Sequence, residues 1–455
     1  MESSYRFIQG ESPLLISMPH PSRRIPDTLL KRMTPAMIAP SGRQNGLAVI
    51  GDGRWGRILC RCVARKKPGN WPLFWVARHH TATEVPGRFS IVREIGDISP
   101  PPAGAIVANA PASHAATTRQ LLDRKIHTLV EKPFVTDNDD ASALIALANN
   151  KKTILAVGHV MRFADYLIDA ARNLPAPIKR VRIHWEDAEF DTRQGETKTA
   201  SVHVSPILDV FPHIWSIIRT VGVIPPLKFS GIHIDSNSGA VTVDLTDDAA
   251  HVSTSYSATI NRQGTARKRI VEILCWDGSV NEIDFSVEPG TVTLDGTSFA
   301  ALWDPGNPPL DQEIETFLQA LTGADLDERI DAGKSAECFE LTALAETQFE
   351  KTETELIIES LRASVHMGLA ARLTGEKLLR EAAKNRIRLD IGGPDAKKLG
   401  QAIFNDISGI GNPVTINGSE AWAFYRDSTL KSSLQAGLNG AEPKIRDHET
   451  KDRIS

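Results

Sequence analysis

A glycine-rich turn at residues 51–56 could bind the phosphates of a dinucleotide. Its sequence, Gly51-Asp52-Gly53-Arg54-Trp55-Gly56, follows the apolar pair Val49-Ile50 and precedes a helix-like segment. In that context the first glycine permits a tight turn, the second lets a pyrophosphate approach the backbone, and the third lets the helix pack close to the strand. Free N–H groups at the helix start would hold the phosphates. An ordinary glycine-rich turn is the alternative, and the flanking strand and helix favour the dinucleotide.

The residues after the second predicted strand bear on which dinucleotide binds. A site that prefers NAD usually carries Asp or Glu about 20 residues beyond the glycine turn. Here the strand at residues 73–77 is followed by Arg78-His79-His80, and the first acidic residue is Glu84. An arginine in place of an acid favours a 2′-phosphate, so we expect NADP(H) in preference to NAD(H). A solvated loop arginine is the alternative role for Arg78.

A second candidate for chemistry is the pair formed by Asp209 and His213, which are four residues apart. On a helix that spacing would place both side chains on one face. Pro212 lies between them, and an interior proline breaks a helix, so we expect the helix to begin at Pro212 and the pair to straddle its start. Histidine titrates near neutral pH and suits general acid/base work, with a hydrogen-bonded structural histidine as the alternative.

Residues 45–165 alternate between short apolar runs and helix-length segments. Five runs are typical of buried strands: residues 46–50, 73–77, 105–108, 128–130 and 154–157. Helix-length segments lie between several of them: residues 55–66, 115–123 and 139–149. This alternation predicts a parallel sheet covered by helices on both faces. The stretch 78–104 is short, so we expect a helix and a strand to be reduced there.

From about residue 178 to residue 300 the runs are longer and several alternate with a period of two. Asp277-Gly278 is a strong two-residue hairpin signal and Ser238-Gly239 a weaker one. This part of the chain is predicted to form an antiparallel meander that is open on one face. Helical periodicity returns at residues 311–350.

The predicted fold class is α/β, with a Rossmann-type doubly wound parallel sheet followed by an α+β domain that carries a large open antiparallel sheet. The predicted parts are an N-terminal extension at 1–43, a dinucleotide-binding domain at 44–165, a substrate and oligomerisation domain at 166–350, and a mostly helical C-terminal extension of unknown role at 351–455. That last part begins with an amphipathic stretch, contains a loop at Gly409-Ile410-Gly411-Asn412-Pro413, and ends in a polar run expected to be disordered.

Composition excludes several classes of protein. The 455 residues carry 52 basic and 56 acidic side chains, so no overall field indicates nucleic acid or a membrane surface as partner. No apolar run reaches the roughly 18 residues of a membrane span, and the polar start lacks the centre of a signal peptide. Four cysteines suit a reducing cytoplasm, and Cys60 and Cys62 are better read as core or surface thiols than as metal ligands.

Four motifs in order resemble the Gfo/Idh/MocA oxidoreductase family over about residues 45–350. They are the glycine turn, Asn109-Ala110-Pro111 with His114, Glu131-Lys132-Pro133, and Asp209 with His213. The Glu-Lys-Pro triplet, one strand after the Pro111 and His114 segment, is much more specific than the glycines. The resemblance implies that Lys132 lies between substrate and nicotinamide, and that Asp209 and His213 face the same substrate carbon with His213 as the acid/base.

The resemblance also implies that Asn109, Pro111 and His114 line the cofactor groove, and Gly158-His159-Val160-Met161-Arg162-Phe163 resembles the family's G-x-x-x-R segment. The catalytic set is expected to be Lys132, Asp209 and His213, with no metal. The cofactor-binding set is expected to be Gly51, Gly53, Arg54, Trp55, Gly56, Arg78, Asn109, Pro111, His114, Glu131, Lys132 and Arg162. Two positions depart from the family pattern: Phe211 replaces a common glycine, and Ser216 replaces an aspartate that often binds substrate hydroxyls.

Residues 5–39 resemble the start of the N-formylglutamate amidohydrolases, through Ser12-Pro13-Leu14-Leu15-Ile16-Ser17-Met18-Pro19-His20 and Arg32-Met33-Thr34-Pro35-Ala36. The metal-binding and acidic residues that this family needs cannot be placed further along the chain. His20 alone cannot build a zinc site, which takes three or four ligands. We interpret the segment as a fusion remnant or a mispredicted start.

Three functions compete. The first is an NAD(P)-dependent oxidoreductase acting on a sugar, cyclitol or sugar-nucleotide carbonyl/alcohol pair, as a homo-oligomer (dimer or tetramer) in the cytoplasm. The second is a non-catalytic dinucleotide sensor on the same scaffold, which the unusual Phe211 and Ser216 and the added C-terminal tail keep open. The third is a metallohydrolase using His203, Asp209 and His213, which would leave the glycine turn unexplained.

Deleting residues 1–40 is expected to leave dinucleotide binding unchanged, because the segment precedes the first strand and lacks a complete site. Calorimetric titration of the truncated and full-length proteins measures this. Loss of folding in the truncated protein would show instead that the segment is part of the folded unit.

Overall fold

The structure is a computed structural model, and it describes the chain from residue 44 to residue 366 except for short gaps at 79–87, 189, 194–195, 200–203, 223–225, 236–237, 248–252 and 288–289. In the C-terminal part it describes residues 389–391, 412–416, 419–424 and 444–445. The expectations for residues 1–43, for His79, His80 and Glu84, and for His203 lie outside the described residues.

The first sheet has six parallel strands in the order β3-β2-β1-β4-β5-β6, which is the order of dinucleotide-binding Rossmann sheets. Its strands are β1 (Gln44–Ile50), β2 (Leu73–Val76), β3 (Phe89–Val92), β4 (Pro102–Val107), β5 (His127–Val130) and β6 (Leu155–Val157). The doubly wound sheet is thus confirmed. Strand β3 was not located from the sequence, but it lies in the stretch 78–104 where a reduced strand was expected, and it has only four residues.

Helices cover both faces of this sheet because alternate strand residues point to opposite sides. Leu47 and Val49 pack with α1 (Arg54–Lys66) and α6 (Pro309–Leu321). Ala48 and Ile50 belong to the core on the other face, with α2 (His114–Asp123) and α3 (Asn138–Lys151). Each fully buried Leu, Ile or Val stabilises the fold by about 1.5–3 kcal/mol. The continuous apolar runs therefore mark strands that are buried on both faces.

The second sheet has eight strands in the order β10-β11-β12-β7-β13-β14-β15-β16 and is mostly antiparallel, as predicted. Its strands are β7 (Ile178–Ala188), β10 (Leu227–Ile234), β11 (Val241–Asp247), β12 (Ser255–Gly264), β13 (Lys268–Cys275), β14 (Val280–Asp284), β15 (Thr291–Leu294) and β16 (Thr297–Ala300). The meander has one exception, because β12 pairs with β7 in parallel. A separate two-stranded ribbon joins β8 (Phe190–Arg193) to β9 (Glu196–Thr199).

One face of the second sheet is covered and the other is open. On β7, Val181, Ile183 and Trp185 are buried, whereas Arg182 between them is exposed. Two helices lie in the same core as the buried residues: α4 (Asp165–Arg172) and α5 (Pro206–Thr220). The period-two alternation of β7 therefore separates a core face from a polar face.

Helix α5 carries both Asp209 and His213, and it does not begin at Pro212. Ser205 caps the helix, its Oγ accepting a hydrogen bond from the Leu208 N–H at 3.0 Å, and Pro206 occupies the first helical turn. Pro212 lies inside the helix. The expectation of a straddled helix start was wrong, because the cap at Ser205 and the burial of the helix outweigh the one hydrogen bond that the proline removes.

The C-terminal part contains more strand than the sequence indicated. Helix α7 runs over Ala336–His366. Beyond it, four described strands form a sheet in the order β17-β19-β18-β20: β17 (Leu389–Ile391), β18 (Asn412–Ile416), β19 (Ser419–Phe424) and β20 (Lys444–Ile445). Asn412 and Pro413, predicted as loop, therefore begin a strand. The domain boundaries at 44, 166 and 351 stay predictions.

All four cysteines are free and buried, which agrees with Cys60 and Cys62 as core thiols. Burial raises the thiol pKa of Cys60, Cys62 and Cys338. Among the described residues, no helix is long and apolar enough to cross a membrane.

Glu337 joins α5, α7 and the edge strand β10. Its carboxylate accepts hydrogen bonds from the Trp215 Nε1–H at 2.7 Å, from the Leu227 N–H at 2.8 Å and from the Arg219 guanidinium, with the Arg219 Nε at 2.9 Å. Burial raises the pKa of this carboxyl, and the three donors with the Arg219 charge outweigh burial and hold the pKa below its usual value of 4.5. The carboxylate therefore stabilises the position of α5.

We expect Glu337→Gln to lower the free energy of unfolding at pH 7 by about 1.5–3 kcal/mol, the value of hydrogen bonds to a charged group. Because the folded-state pKa is lowered, this stabilisation is present above the unfolded-state pKa and is lost as pH falls through the folded-state pKa. Urea unfolding from pH 7 to pH 3 should show the difference between the two proteins narrowing. A difference that is constant across this range would contradict the assignment.

Candidate active site

The three glycines of the turn have three different structural requirements. Gly51 has φ +138°, and a Cβ there would lie 2.4 Å from the carbonyl oxygen of Ala108. A Cβ on Gly56 would lie 2.1 Å from the carbonyl oxygen of Gly51. Around Gly53, by contrast, an added Cβ would meet nothing within 4 Å, so the fold itself does not demand a glycine there. Gly51 and Gly56 serve the turn, and the open space at Gly53 is a cradle that a side chain would fill.

This cradle fits a dinucleotide pyrophosphate. Gly53 is the N-cap of α1, no side-chain hydrogen bond caps that helix start, and its first turn carries no acidic residue, so the helix start suits an anion. The turn is held by the Trp75 Nε1–H, which donates to the Gly51 carbonyl at 2.8 Å. Arg54 and Trp55 are the first two residues of α1, directly after Gly53. The residues present thus suit the group that the glycine pattern implied.

Arg78 lies two residues beyond β2, next to the carboxyl end of the strand. Its side chain is exposed, with one terminal nitrogen 4.0 Å from a carboxylate oxygen of Glu94. An exposed pair of this kind contributes little to stability. Its position suits the ribose end of a dinucleotide, and its role as a reader of the 2′-phosphate stays a prediction.

The Asn109 to His114 segment is held from within. His114 is 1% exposed, and its ring nitrogens lie 2.7 Å from the Pro133 carbonyl oxygen and 3.1 Å from the Asn109 carbonyl oxygen. Burial is the main cause that lowers the pKa of His114. The Asn109 Nδ2–H donates to Thr117 Oγ1 at 2.9 Å, and Pro111 begins a short 3-10 turn. His114 therefore joins the loops after β4 and β5, and its imidazole is engaged with backbone.

Glu131 is buried beneath the turn rather than exposed to a groove. It is 5% exposed, and burial raises its pKa while a hydrogen bond from the Trp55 side chain and the charge of Lys132 lower it. Glu313 of α6 is fully buried nearby: a Cβ on Gly158 would lie 3.2 Å from Glu131 Oε2 and 3.4 Å from Glu313 Oε1. Burial and the charge of Glu131 raise the pKa of Glu313.

Lys132, which follows β5 of the first sheet, is hydrogen-bonded to Asp209 of α5, which packs against the second sheet. The Lys132 Nζ lies 2.7 Å from Asp209 Oδ1 and 2.8 Å from the Asp209 carbonyl oxygen. A second cation, Arg262 of β12, brings a terminal nitrogen to 3.7 Å from Asp209 Oδ2 and donates to the Val204 carbonyl at 2.8 Å. The carboxylate thus lies between an ammonium and a guanidinium.

His213 follows Asp209 by one helical turn and is half-buried. Its imidazole stacks on the indole of Trp185, with ring centroids 5.1 Å apart and planes inclined by 14°. Because Lys132 is bonded to Asp209 in the preceding turn, the structure brings all three residues of the predicted catalytic set to one place. Asp209 and His213, four residues apart on α5, lie on the same side of the helix although Pro212 is between them.

Ser216, where the family has an aspartate, does not face this place. It is fully buried; its Oγ–H donates to the Pro212 carbonyl at 2.7 Å, and the same oxygen lies 3.1 Å from His159 Nδ1. The other ring nitrogen of His159 lies 3.1 Å from Ser335 Oγ, and burial lowers the pKa of His159 to about 3. This neutral histidine ties α5 to the first sheet and to the start of α7.

Arg162 packs against α5 as well. Its guanidinium lies 5.7 Å from the Trp215 ring centroid and donates to the Glu328 carbonyl at 3.1 Å. Sequence reasoning missed three residues that shape the site: Trp185, Arg262 and Glu313. Each comes from a strand or helix far away in sequence, and its own neighbours carry no motif, so only the arrangement of strands and helices could reveal it.

A metal site finds no support in the described part of the chain. No group of three or more His, Cys, Asp or Glu side chains there could hold a metal ion. Asp209 is engaged by Lys132 instead. Because His203 lies outside the described residues, the metallohydrolase hypothesis retains only Asp209 and His213, and it stays untested as a whole.

Comparison with known proteins agrees with the nucleotide-binding geometry. Residues 48–159 match the sequence model of the Gfo/Idh/MocA oxidoreductase family, described as having an NAD-binding Rossmann fold. The UDP-N-acetylglucosamine 3-dehydrogenase of Acidithiobacillus ferrooxidans is 24% identical over 225 residues, which is 46% of this chain and 67% of that enzyme. The resemblance to the family is thereby confirmed for the Rossmann part of the chain.

Solved structures share the fold of both sheets. The same Acidithiobacillus enzyme superposes with a TM-score of 0.55 and 18% identity, over 67% of this chain and 97% of that one. The D-galactose-1-dehydrogenase of Rhizobium etli superposes with a TM-score of 0.51 and 18% identity, over 68% of this chain and 96% of that one. Biliverdin reductase from Synechocystis sp. PCC 6803, in complex with biliverdin and NADP+, superposes with a TM-score of 0.52 and 15% identity, over 69% of this chain and 99% of that one. At these identities the likeness establishes the fold alone.

Gly53→Val is expected to abolish dinucleotide binding in a folded protein. The valine side chain would fill the cradle, whereas the backbone at Gly53 has φ −80°, which any residue adopts. Gly56→Ala is the contrasting variant, because its Cβ would collide with the Gly51 carbonyl and lower the melting temperature. Calorimetry with both nicotinamide dinucleotides, alongside circular dichroism, measures the two effects. Normal binding by folded Gly53→Val would refute the site.

Arg78→Ala should weaken NADP(H) and leave NAD(H) nearly unchanged if Arg78 contacts a 2′-phosphate. A charge-assisted hydrogen bond of about 1.5–3 kcal/mol corresponds to roughly tenfold or more in affinity. Arg119→Ala is the control, because Arg119 also lies on the surface in an ion pair, with Asp140. Equal losses for the two dinucleotides would show that Arg78 does not distinguish them.

Proposed function

We propose that this protein is an NAD(P)-dependent oxidoreductase that transfers a hydride between the nicotinamide and the carbonyl or alcohol carbon of a sugar, cyclitol or sugar nucleotide. The observation that carries the proposal is the contact of 2.7 Å between Lys132 Nζ, just past the carboxyl end of β5, and Asp209 Oδ1, one helical turn before His213. Ligands of open α/β sheets bind at the carboxyl ends of the strands, which supports binding of the nicotinamide ring beside this contact.

A bound nicotinamide would supply the hydride donor or acceptor. The cradle at Gly53 and the N–H groups at the start of α1 would hold its pyrophosphate. Arg78, beside the end of β2, would read the 2′-phosphate, which is why we favour NADP(H). The proposal leaves His114 and Glu131 as buried residues that hold the loops in place.

Lys132 would stabilise negative charge on the substrate oxygen. A lysine ammonium has three donors, and among the described residues Asp209 accepts two of them, one at its carboxylate and one at its carbonyl. The third donor remains for the substrate. Because the first two hydrogen bonds fix the direction of the Lys132 side chain, the third requires little reorganisation when charge develops on that oxygen.

His213 would carry the proton. In oxidation of an alcohol it accepts the hydroxyl proton as the hydride leaves carbon, and in reduction it returns that proton to the carbonyl oxygen. An imidazole titrates near neutral pH and can hold both states. Asp209, between Lys132 and Arg262, is bound to cations and would position Lys132 instead of accepting this proton.

The sugar-like substrate is inferred from the comparisons. One relative is named a sugar-nucleotide dehydrogenase and one solved structure a sugar dehydrogenase. A homo-oligomer that uses the open face of the second sheet remains part of the proposal. Phe211 and Ser216, two of the three features that favour the sensor, are fully buried on α5, and the third is the added C-terminal tail. Buried in this way, these two side chains lie in the core of the protein and not on an exposed surface.

His213→Asn should lower the turnover number by about 10²–10⁴, the usual contribution of general acid/base catalysis, with cofactor affinity near wild type. Lys132→Met should also lower turnover, and it should weaken cofactor binding if Lys132 touches the nicotinamide. A nicotinamide absorbance screen over sugars and their oxo forms identifies the substrate, and single-turnover kinetics then measures both variants.

Full turnover by His213→Asn would refute the acid/base role. Dinucleotide binding without turnover of any substrate in the screen would make the sensor the better hypothesis. Gly53→Val serves as the matched control, because it should lose dinucleotide binding while leaving Lys132, Asp209 and His213 unchanged.

A further inference from the structure

The indole of Trp185 lies between two other planar groups. The imidazole of His213 stacks on it with centroids 5.1 Å apart, and the Arg269 Cζ lies 3.8 Å from the Trp185 ring centroid. If the imidazole and the guanidinium both lay on one face of the indole at these distances, their atoms would collide. They therefore lie on opposite faces of the indole. The order is therefore guanidinium, indole, imidazole.

The guanidinium end of this stack is fixed to the sheet. Arg269 on β13 stands directly opposite Trp185 on β7 in the strand register. It forms a buried ion pair with Asp187, which lies two residues along β7 on the same face, and it donates to the Lys268 carbonyl at 2.8 Å. Breaking such a pair on one side is costly, because it leaves an uncompensated buried charge. Arg269 is thereby held against the indole.

The Trp185 indole makes its described contacts through the faces of its ring and not through its N–H group. Trp185 is 8% exposed, and its Nε1–H has no hydrogen-bond partner among the described residues. A buried indole donor usually finds such a partner. Here no polar contact of that kind sets the ring plane, and the Arg269 guanidinium, which Asp187 holds in place, supports the indole from one side.

We propose that Arg269 and Trp185 form a platform that sets the plane of the His213 imidazole, and that both are positioning residues for proton transfer. The terminal side-chain torsion of a histidine is broad, and stacking on the indole restricts the rotation of the His213 ring about it. Turning the ring out of plane would break the stack. The imidazole nitrogens are thus kept in a fixed plane one helical turn from Asp209, which holds Lys132.

The inference rests on the proposed function, because positioning matters only if His213 transfers a proton. It goes further than that function in assigning a role to two residues that bear no reactive group toward the substrate. Aromatic pairs in offset-stacked geometry attract each other beyond their buried area, so the platform also stabilises the docking of α5 on the sheet.

The test is a double-mutant cycle between Trp185 and His213. Trp185→Leu removes the aromatic face and should lower the single-turnover rate constant by about tenfold to a hundredfold, the loss that a displacement of about 1 Å produces. Substrate and dinucleotide dissociation constants should stay near wild type. Trp185→Phe keeps an aromatic face and should restore most of the rate.

In the His213→Asn background, Trp185→Leu should cost little more, because the group that it positions is already gone. Ile183→Ala is the matched control: Ile183 is 1% exposed on the same face of β7 and is not part of the stack. It should lower the melting temperature and change the rate by the same small factor in both backgrounds. An equal loss from Trp185→Leu in both backgrounds would overturn the inference.

A second readout does not depend on activity. In protein labelled at its 13 histidines, the His213 ring signal, assigned by its absence in His213→Asn, should be shifted upfield by the indole ring current. Trp185→Leu should remove this shift and Trp185→Phe should keep much of it. An unchanged signal in Trp185→Leu would refute the stack, whatever the enzyme does. A shift that behaves as expected, without turnover of any substrate by wild type, would refute the proposed function and the positioning role while leaving the stack.

Discussion

The contact between Lys132 and Asp209 is the constraint on which the candidate site depends. Lys132 follows a strand of the parallel sheet, and Asp209 stands in the first turns of α5, which lies under the other sheet. A hydrogen-bonded ion pair can hold its geometry only if both backbones are held independently. The surrounding structure supplies that support, and the supporting residues outnumber the reactive ones.

Helix α5 is held in place by contacts on three sides. His159, neutral because burial lowers its pKa to about 3, lies between Ser216 and Ser335. The Glu337 carboxylate accepts hydrogen bonds from Trp215 and Arg219 and from the Leu227 N–H at the edge of the second sheet. On the side of the reactive residues, the Trp185 platform meets His213. The hydrogen bonds of His159 and Glu337 specify one arrangement, because any other would leave buried polar groups unpaired.

Much of the fold was predictable because the relevant signals are local. The apolar runs of the first sheet are buried on both faces and read directly as strands, and the glycine turn has requirements that the backbone at Gly51 and Gly56 bears out. Strand β3 was not located because four mixed residues carry no periodicity. The parallel pairing of β12 with β7 was missed because the choice of neighbour depends on the whole sheet. Pro212 was misjudged because burial outweighs local helix propensity.

The sequence by itself determined the chemical types and their order along the chain: a dinucleotide turn, a lysine after a strand, and an aspartate and a histidine at helical spacing. These follow from short-range rules, since the period of a helix and the needs of a tight turn act within a few residues. Only the tertiary structure decided that Ser216 faces a buried histidine, that Arg262 joins Asp209, and that Trp185 and Arg269 meet His213. Those contacts join residues far apart in the chain, and their partners are chosen by packing and by the cost of burying an unpaired charge.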